Sequence, residues 1–277
     1  MTQTGTFPYV GSKARMSSWI IRQMPKHEVY VEVFGGSGAV LLNKPRSDVE
    51  IYNDLDSEIV QFLETMRDRT DEVIEWVRNT PHSREIHEKY CEQIDKGFEY
   101  DDPIERAGSF FYLRCTSFNG GYPYSSYNGT TRQKRPQEKN NRAIRLKECA
   151  RRLLEVQLEN LDFEELIDRY DRDVTLFYCD PPYVDVGDQF YSHDGEFDHQ
   201  RLIQSLADVD GHWIVSYTDP PDGLEDVSEV IKEQDRSVHM TMGDNSTNTE
   251  RLFMNYDPRD VEAHSSCRIK RGSEVEW

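Results

Sequence analysis

The stretch Val29-Tyr30-Val31-Glu32-Val33-Phe34-Gly35-Gly36-Ser37-Gly38 decides the fold class. Its first six residues are β-branched or aromatic apart from one glutamate, which is the composition of a strand. The glycines that follow at once allow a tight turn, and an apolar helix start is expected directly after them. A strand, a glycine loop and a helix in that order open a parallel α/β unit. Working outward, a second short strand at Val49–Tyr52 ends at Asn53-Asp54, and Ser57 is placed to cap a helix carrying Ile59, Val60, Leu63 and Met66. Helical patterning continues to Phe118. Strand signals resume at Val156–Leu158, Val174–Cys179 and Trp213–Tyr217, with helical segments at Phe163–Tyr170 and His199–Leu206 between them and Arg251–Tyr256 as a closing strand. This alternation predicts a largely parallel, doubly wound sheet. Residues 56–155 interrupt it and read as a helical insert, leaving 1–55 and 156–277 to form the sheet domain.

Composition bounds the function. The 277 residues are 36% hydrophobic and 31% charged, so the chain folds and carries a very charged surface. No run approaches the roughly 18 apolar residues of a membrane span, and Met1–Gly5 lacks a secretory pattern, so a cytoplasmic protein is expected. The five cysteines, Cys91, Cys115, Cys149, Cys179 and Cys267, form no C-x-x-C pair, which predicts reduced thiols and no zinc. The eight histidines make no metal-binding pairing with cysteine or glutamate either. Trp76 and Trp213 read as core residues.

A net charge of −19 argues by itself against a polyanionic partner, but its distribution does not. Between Asn119 and Arg152 stand nine Lys or Arg (Arg132, Lys134, Arg135, Lys139, Arg142, Arg145, Lys147, Arg151, Arg152) against Glu138 and Glu148, so this segment carries +7 and the rest −26. Its first part, Asn119–Gln137, is rich in glycine, serine and tyrosine and reads as a mobile basic loop. The 52 acidic residues, with only 10 Lys among 33 basic ones, further predict a protein adapted to a high-salt cytoplasm.

Two constellations carry chemistry. In the first, Asp54 stands 18 positions beyond Gly36, after the second strand, where a carboxylate can accept hydrogen bonds from ribose hydroxyls while the glycines admit a ligand close to the backbone. This describes a site for an adenosine-containing cofactor, although Asp54 is equally placed to cap the following helix. In the second, Asp180-Pro181-Pro182-Tyr183 follows a buried strand at the edge where parallel sheets bind ligands. Two prolines lack N–H groups, so the turn offers only acceptors, the Asp180 carboxylate and nearby carbonyls. Such a pocket suits an amino group, and Tyr183 gives a flat face for a base to stack on. The segment Val184–Glu196, with Gly187 and Gly195, reads as a flap beside this turn.

Together these residues resemble the Dam-like, D12-class DNA adenine-N6 methyltransferases. Tyr9-Val10-Gly11-Ser12-Lys13 is similar to the family's first cofactor motif, Val31–Gly38 to its Phe-x-Gly-x-Gly loop, and Tyr52-Asn53-Asp54 to its ribose-binding step. Phe110–Gly120 is similar to the segment leading into target recognition, Asp162-Phe163-Glu164 to the motif before the catalytic strand, Phe177–Tyr183 to the catalytic core, and Thr249–Tyr256 to the closing strand. The resemblance implies an α/β fold, a Rossmann-like S-adenosylmethionine-dependent methyltransferase sheet with a helical target-recognition insert. It implies cofactor contacts from Tyr9, Lys13, Asp54 and Asp180, with Phe34, Gly36 and Gly38 in the pocket floor. It implies that adenine flips out of double-stranded DNA onto Asp180, Pro181, Pro182 and Tyr183, and that its N6 is methylated without a covalent enzyme intermediate. Asn119, Arg132, Lys134 and Arg135, in the basic loop 119–139, become candidate DNA contacts. After Phe118-Asn119-Gly120 the chain reads Gly121-Tyr122-Pro123-Tyr124 where GATC-reading members continue with Leu and Arg, so GATC is not implied as the target. The acceptor-only turn would also serve a methyltransferase acting on RNA or on a glutamine side chain. A silent DNA-binding homologue and a nicotinamide-dependent oxidoreductase are the readings from other classes. A cognate restriction endonuclease is left open as a partner.

Overall fold

The computed structural model describes residues 5–97, 100–120, 126–129, 134–182, 197–239 and 245–263. Among the described residues, a short helix α1 (Ser17–Ile21) precedes seven strands that form one sheet: β1 (Val29–Glu32), β2 (Val49–Asn53), β3 (Val156–Glu159), β4 (Thr175–Cys179), β5 (His212–Tyr217), β6 (Val230–His239) and β7 (Asn245–Met254). Their spatial order is β3-β2-β1-β4-β5-β7-β6. The first five are parallel, while β7 runs antiparallel to β5 and β6 antiparallel to β7. The order reverses between β1 and β4, and in open parallel sheets the crevice beyond the carboxyl ends of such a pair is where ligands bind.

Period-two alternation within the strands sorts the core into two faces. On one face Tyr30, Tyr52, Leu176, Tyr178, Ile214 and Leu252 pack against α2 (Ser57–Asp68), α3 (Thr70–Asn79), α5 (Pro103–Thr116) and α6 (Arg135–Leu153) through Phe62, Leu63, Val73, Phe111 and Leu146. On the other face Val31, Ile51, Phe177, Trp213 and Phe253 pack against α7 (Phe163–Tyr170) and α8 (His199–Ala207) through Leu166, Ile167, Leu202 and Leu206. The helical stretch 56–155 therefore shares one apolar core with the sheet. Of the two tryptophans read as core, Trp213 is fully buried and Trp76 is partly buried against helix α4 (Arg84–Asp95) and its neighbours.

The structure departs from the sequence reading in three places. No helix follows the glycine loop; residues 36–43 make successive turns. The amide of Leu41 donates to the buried Glu32 carboxylate at 2.6 Å instead of to a carbonyl one turn back, so a side chain takes a donor that a helix would need. Helix α2 is capped by Asp56, whose side chain accepts from the Glu58 amide, and not by Ser57. Strand β6 was not anticipated, because an edge strand with one solvated side carries Lys232, Glu233, Gln234 and Asp235 in place of an apolar alternation. Its partner β7 likewise begins six residues before the expected Arg251.

Candidate active site

The glycine loop is shaped by what lies beneath it. Gly36 and Gly38 take positive φ values of 50° and 65°, and a Cβ on Gly35 would run into the Tyr52 ring. The Tyr52 hydroxyl donates to the Gly36 carbonyl at 2.6 Å. Above the loop lies the N-terminal segment: Thr6 N–H donates to the Ser37 carbonyl at 2.9 Å, the Ser12 and Ser37 hydroxyls meet at 3.0 Å, and a Cβ on Gly36 would sit 3.0 Å from the Tyr9 ring. Tyr9, Gly36 and Gly38 are thus brought together, as the sequence reading requires. Phe34, partly buried, packs in an aromatic cluster with Phe163 and Phe197, with ring centroids 5.8 and 5.5 Å away.

Asp54 faces the same loop. Its Oδ2 accepts from the Gly36 amide at 2.7 Å and its Oδ1 from the Asp56 amide at 2.9 Å. Burial pushes this carboxyl up to about 6 despite those two donors. Asn53 beside it is fully engaged, donating to the Val33 and Leu161 carbonyls and accepting from the Leu161 amide, so it locks β1, β2 and the turn after β3 in place.

Across the crevice, Asp180 leaves β4 and meets the N-terminal segment. The Lys13 ammonium, on a 3-10 turn (Lys13–Arg15), lies 2.6 Å from Asp180 Oδ1 and 3.3 Å from Glu250 Oε1 of β7. Ser216 of β5 donates to Asp180 Oδ1 at 2.9 Å. Lys13 and Glu250 are almost wholly buried, 4% and 2% exposed, and burial outweighs the lysine and the serine in raising the Asp180 carboxyl above its ordinary value. Pro181 is buried and Pro182 partly buried. Tyr183 and the flap Val184–Glu196 lie outside the described residues.

Four groups at the site escaped the sequence reading: Glu32, Ser216, Glu250 and Arg114. Glu32 is buried, receives the Tyr30 hydroxyl at 2.8 Å, and is pushed up to about 7 by desolvation. Arg114 is 3% exposed, with its guanidinium 5.1 to 5.6 Å from the ring centroids of Phe7, Tyr9 and Phe110, and it donates to the Gly120 carbonyl at 3.2 Å. The available signal was a charge inside an apolar run, Glu32 in VYVEVF and Arg114 in FFYLRC.

The basic segment is more mixed than its charge count suggests. Asn119 lies in a 3-10 turn, Phe118–Gly120, next to the exposed ring of Phe118. Lys134 is exposed, whereas Arg135 opens α6 in an ion pair with Glu138 at 3.0 Å, and Arg132 lies outside the described residues. Lys139 is buried, donates to the Val77 and Thr80 carbonyls at the end of α3, and is lowered to about 8 by desolvation. Arg152 pairs with the buried Glu50 of β2. Two of the nine cations are therefore structural. Arg145 and Arg151 remain exposed on α6, which begins at Arg135, inside the stretch Asn119–Gln137 read from the sequence as a loop.

The profile of the D12 class N6 adenine-specific DNA methyltransferases matches residues 9–237. The chain belongs to this family. It is 30% identical over 188 residues to the DNA adenine methylase of Escherichia coli strain K12, covering 64% of this chain and 63% of that protein. It is 26% identical over 201 residues to a type II methyltransferase of Lactococcus lactis subsp. cremoris, covering 68% of this chain and 69% of the relative. It is also 26% identical over 206 residues to a type II methyltransferase of Methanocaldococcus jannaschii, covering 63% and 67%. The chain thus spans a little under two thirds of the E. coli relative. The family's activity implies a methyl donor. Among the described residues, no helix is long and apolar enough to cross a membrane.

Proposed function

We propose that the chain transfers a methyl group from S-adenosylmethionine to the N6 amino group of an adenine flipped out of double-stranded DNA. The observation that carries this reading is the convergence, at the switch point between β1 and β4, of a glycine loop with its Asp54 acceptor and an acceptor-only Asp180-Pro181-Pro182 turn. The residues present fit the cofactor. Gly36, held at positive φ directly under the Tyr9 ring, makes a cradle that any side chain would fill, and Asp54 supplies an acceptor for ribose hydroxyls. Bound there, the cofactor supplies an electrophilic methyl on a cationic sulfonium.

The remaining work falls to this chain. Asp180 and the Pro181 carbonyl accept the two hydrogens of the amino group, drawing its lone pair out of conjugation and toward the methyl. Lys13 and Ser216 fix the Asp180 carboxylate, so its orientation is set before substrate arrives. Tyr183 stacks on the base. Phe118, Asn119, Arg132, Lys134 and Arg135 form the DNA face together with exposed α6 cations, and the interval 119–139 sets target choice. The names of the type II relatives support a fixed target site and a place beside a cognate endonuclease.

Sequencing genomic DNA from cells expressing the protein, with detection of modified adenines, tests the reading. Methylated adenine in one sequence context is the expected outcome. Unmodified DNA alongside methylated RNA or protein glutamine would replace it with the corresponding amino-group methyltransferase.

A further inference from the structure

We infer that Glu250 is a positioning residue for the transfer: it draws part of the Lys13 charge away from Asp180, leaving Asp180 a basic, strongly accepting carboxylate. The inference rests on the reading of Asp180 as the acceptor for the amino group. Lys13 lies between the partly exposed Asp180 carboxylate, 2.6 Å away, and the buried Glu250 carboxylate, 3.3 Å away, and its own side chain is 3% exposed. One cation shared by two anions gives each of them less than a full counter-charge. With a single carboxylate the pair would be neutral, and Asp180 would face the substrate as a quenched acceptor. The sheet makes the arrangement possible: β7 is the antiparallel neighbour of β5, so Glu250 comes from the far side of Ser216 to reach the same lysine.

Among the described residues, the groups coupled to Asp180 act in opposite directions. Lys13 on the N-terminal turn and Ser216 on β5 favour the ionised form. Glu250 on β7 opposes it, as does Glu32 on β1 through its own coupling to Asp180. Tyr178 and Cys179 on β4 and Tyr217 on β5 are buried, held neutral well above their ordinary values, and contribute no charge. Glu250 is therefore the group whose removal changes how Lys13 is shared.

The test is a carbon-13 NMR titration of the Asp180 carboxyl in the full, DNA-free protein, assigned by comparison with Asp180→Asn, in wild type and Glu250→Gln. The midpoint should fall by about one pH unit in Glu250→Gln, the size of effect expected when a charge within ~4–6 Å is removed. The acid limb of the kcat profile should move to lower pH with it, while kcat falls about tenfold. Glu250→Asp, which keeps the charge, should retain the wild-type midpoint. An unchanged or higher midpoint in Glu250→Gln overturns the inference, even if activity falls. Should that variant not fold, Lys13→Met is read instead: two facing carboxylates must then titrate in two coupled steps, and a single uncoupled step for Asp180 overturns the inference. Because the titration needs no reaction, a wild-type protein that leaves DNA unmethylated would refute the proposed function without touching this result.

Discussion

The crevice between β1 and β4 and the basic segment from Asn119 to Arg152 use charge in opposite ways. In the crevice, Lys13, Asp180, Glu250, Glu32 and Asp54 are withdrawn from bulk water, and the protein itself fixes each one with donors or counter-charges. In the basic segment, Lys134, Arg145 and Arg151 remain exposed, and Lys147 makes a solvent-exposed ion pair with Asp71 at 2.7 Å. Buried charges act through direction and distance, so each should matter individually. Exposed charges act through their sum and are screened by salt. The two regions should therefore respond differently to substitution and to ionic strength.

The sharpest break would come from Asp180→Ala. If the crevice is preorganised, this change should cost on the order of 10²–10³ in kcat, the usual penalty for losing one fixed polar group aimed at a reacting centre. The fold should survive, as a thermal melt would verify. Near wild-type turnover would mean that this turn is not where the reaction occurs.

Asp54→Ala and Lys13→Ala should each weaken S-adenosylmethionine binding by about 1–3 kcal/mol, the range for a hydrogen bond to a charged group. Calorimetry decides this, and unchanged affinity in both would remove the cofactor from this loop. The pH dependence sharpens the case for Asp54. Its folded value of about 6 lies above the ordinary carboxylate range. The folded protein therefore holds a proton between roughly pH 4 and 6 that the unfolded chain releases, so the contribution of Asp54 to stability is lost as pH rises through 6. Cofactor binding favours the carboxylate and should strengthen from pH 5 to 7. Asp54→Asn should flatten both dependences.

In the basic segment the effect should be collective. Neutralising Arg132, Lys134 and Arg135 together should lower DNA affinity and reduce the slope of log affinity against log salt by about 0.9 for each phosphate that the protein no longer neutralises. Lys134→Ala alone should account for more of this than Arg135→Ala, because Arg135 already pairs with Glu138. Equal slopes before and after would place the DNA-binding surface elsewhere, with the exposed face of α6 next in line.

The smallest and most general effect concerns the surface as a whole. Self-repulsion of a −19 chain is screened over about 3 Å at 1 M salt and about 10 Å at 0.1 M, so Tm should rise by several degrees between 0.1 and 2 M potassium chloride. A flat or falling Tm would refute adaptation to high salt and leave the contrast between the two regions standing.

Much of this was readable from residue order alone. Runs of β-branched and aromatic residues in VYVEVF and VTLFYC placed β1 and β4. Glycine at 36 and 38 marked backbone that must adopt positive φ, which is a local property of the chain. An acceptor-only turn after β4 needed nothing but two adjacent prolines. The nine basic residues were equally legible as a count, but Lys139 left that count because it is buried against α3, and Arg152 because it pairs with Glu50 of β2.

What the sequence by itself determined is the set of elements whose cause is local: strands with apolar runs of β-branched and aromatic residues, helices with their caps nearby, and the glycine and proline turns at the carboxyl edge of the sheet. Tertiary structure decided which distant charges share a site. Lys13, Asp180, Ser216 and Glu250 are scattered along almost the whole chain, and only the β1-β4-β5-β7 order brings them within hydrogen-bonding reach. It also decided that residues 36–43 would turn instead of forming a helix, because the carboxylate that captures the Leu41 amide belongs to β1. The physical reason is common to both. Backbone propensity is set by neighbours in sequence, whereas the energy of a charge depends on the water it has lost and the partners it has met, and both are fixed by packing.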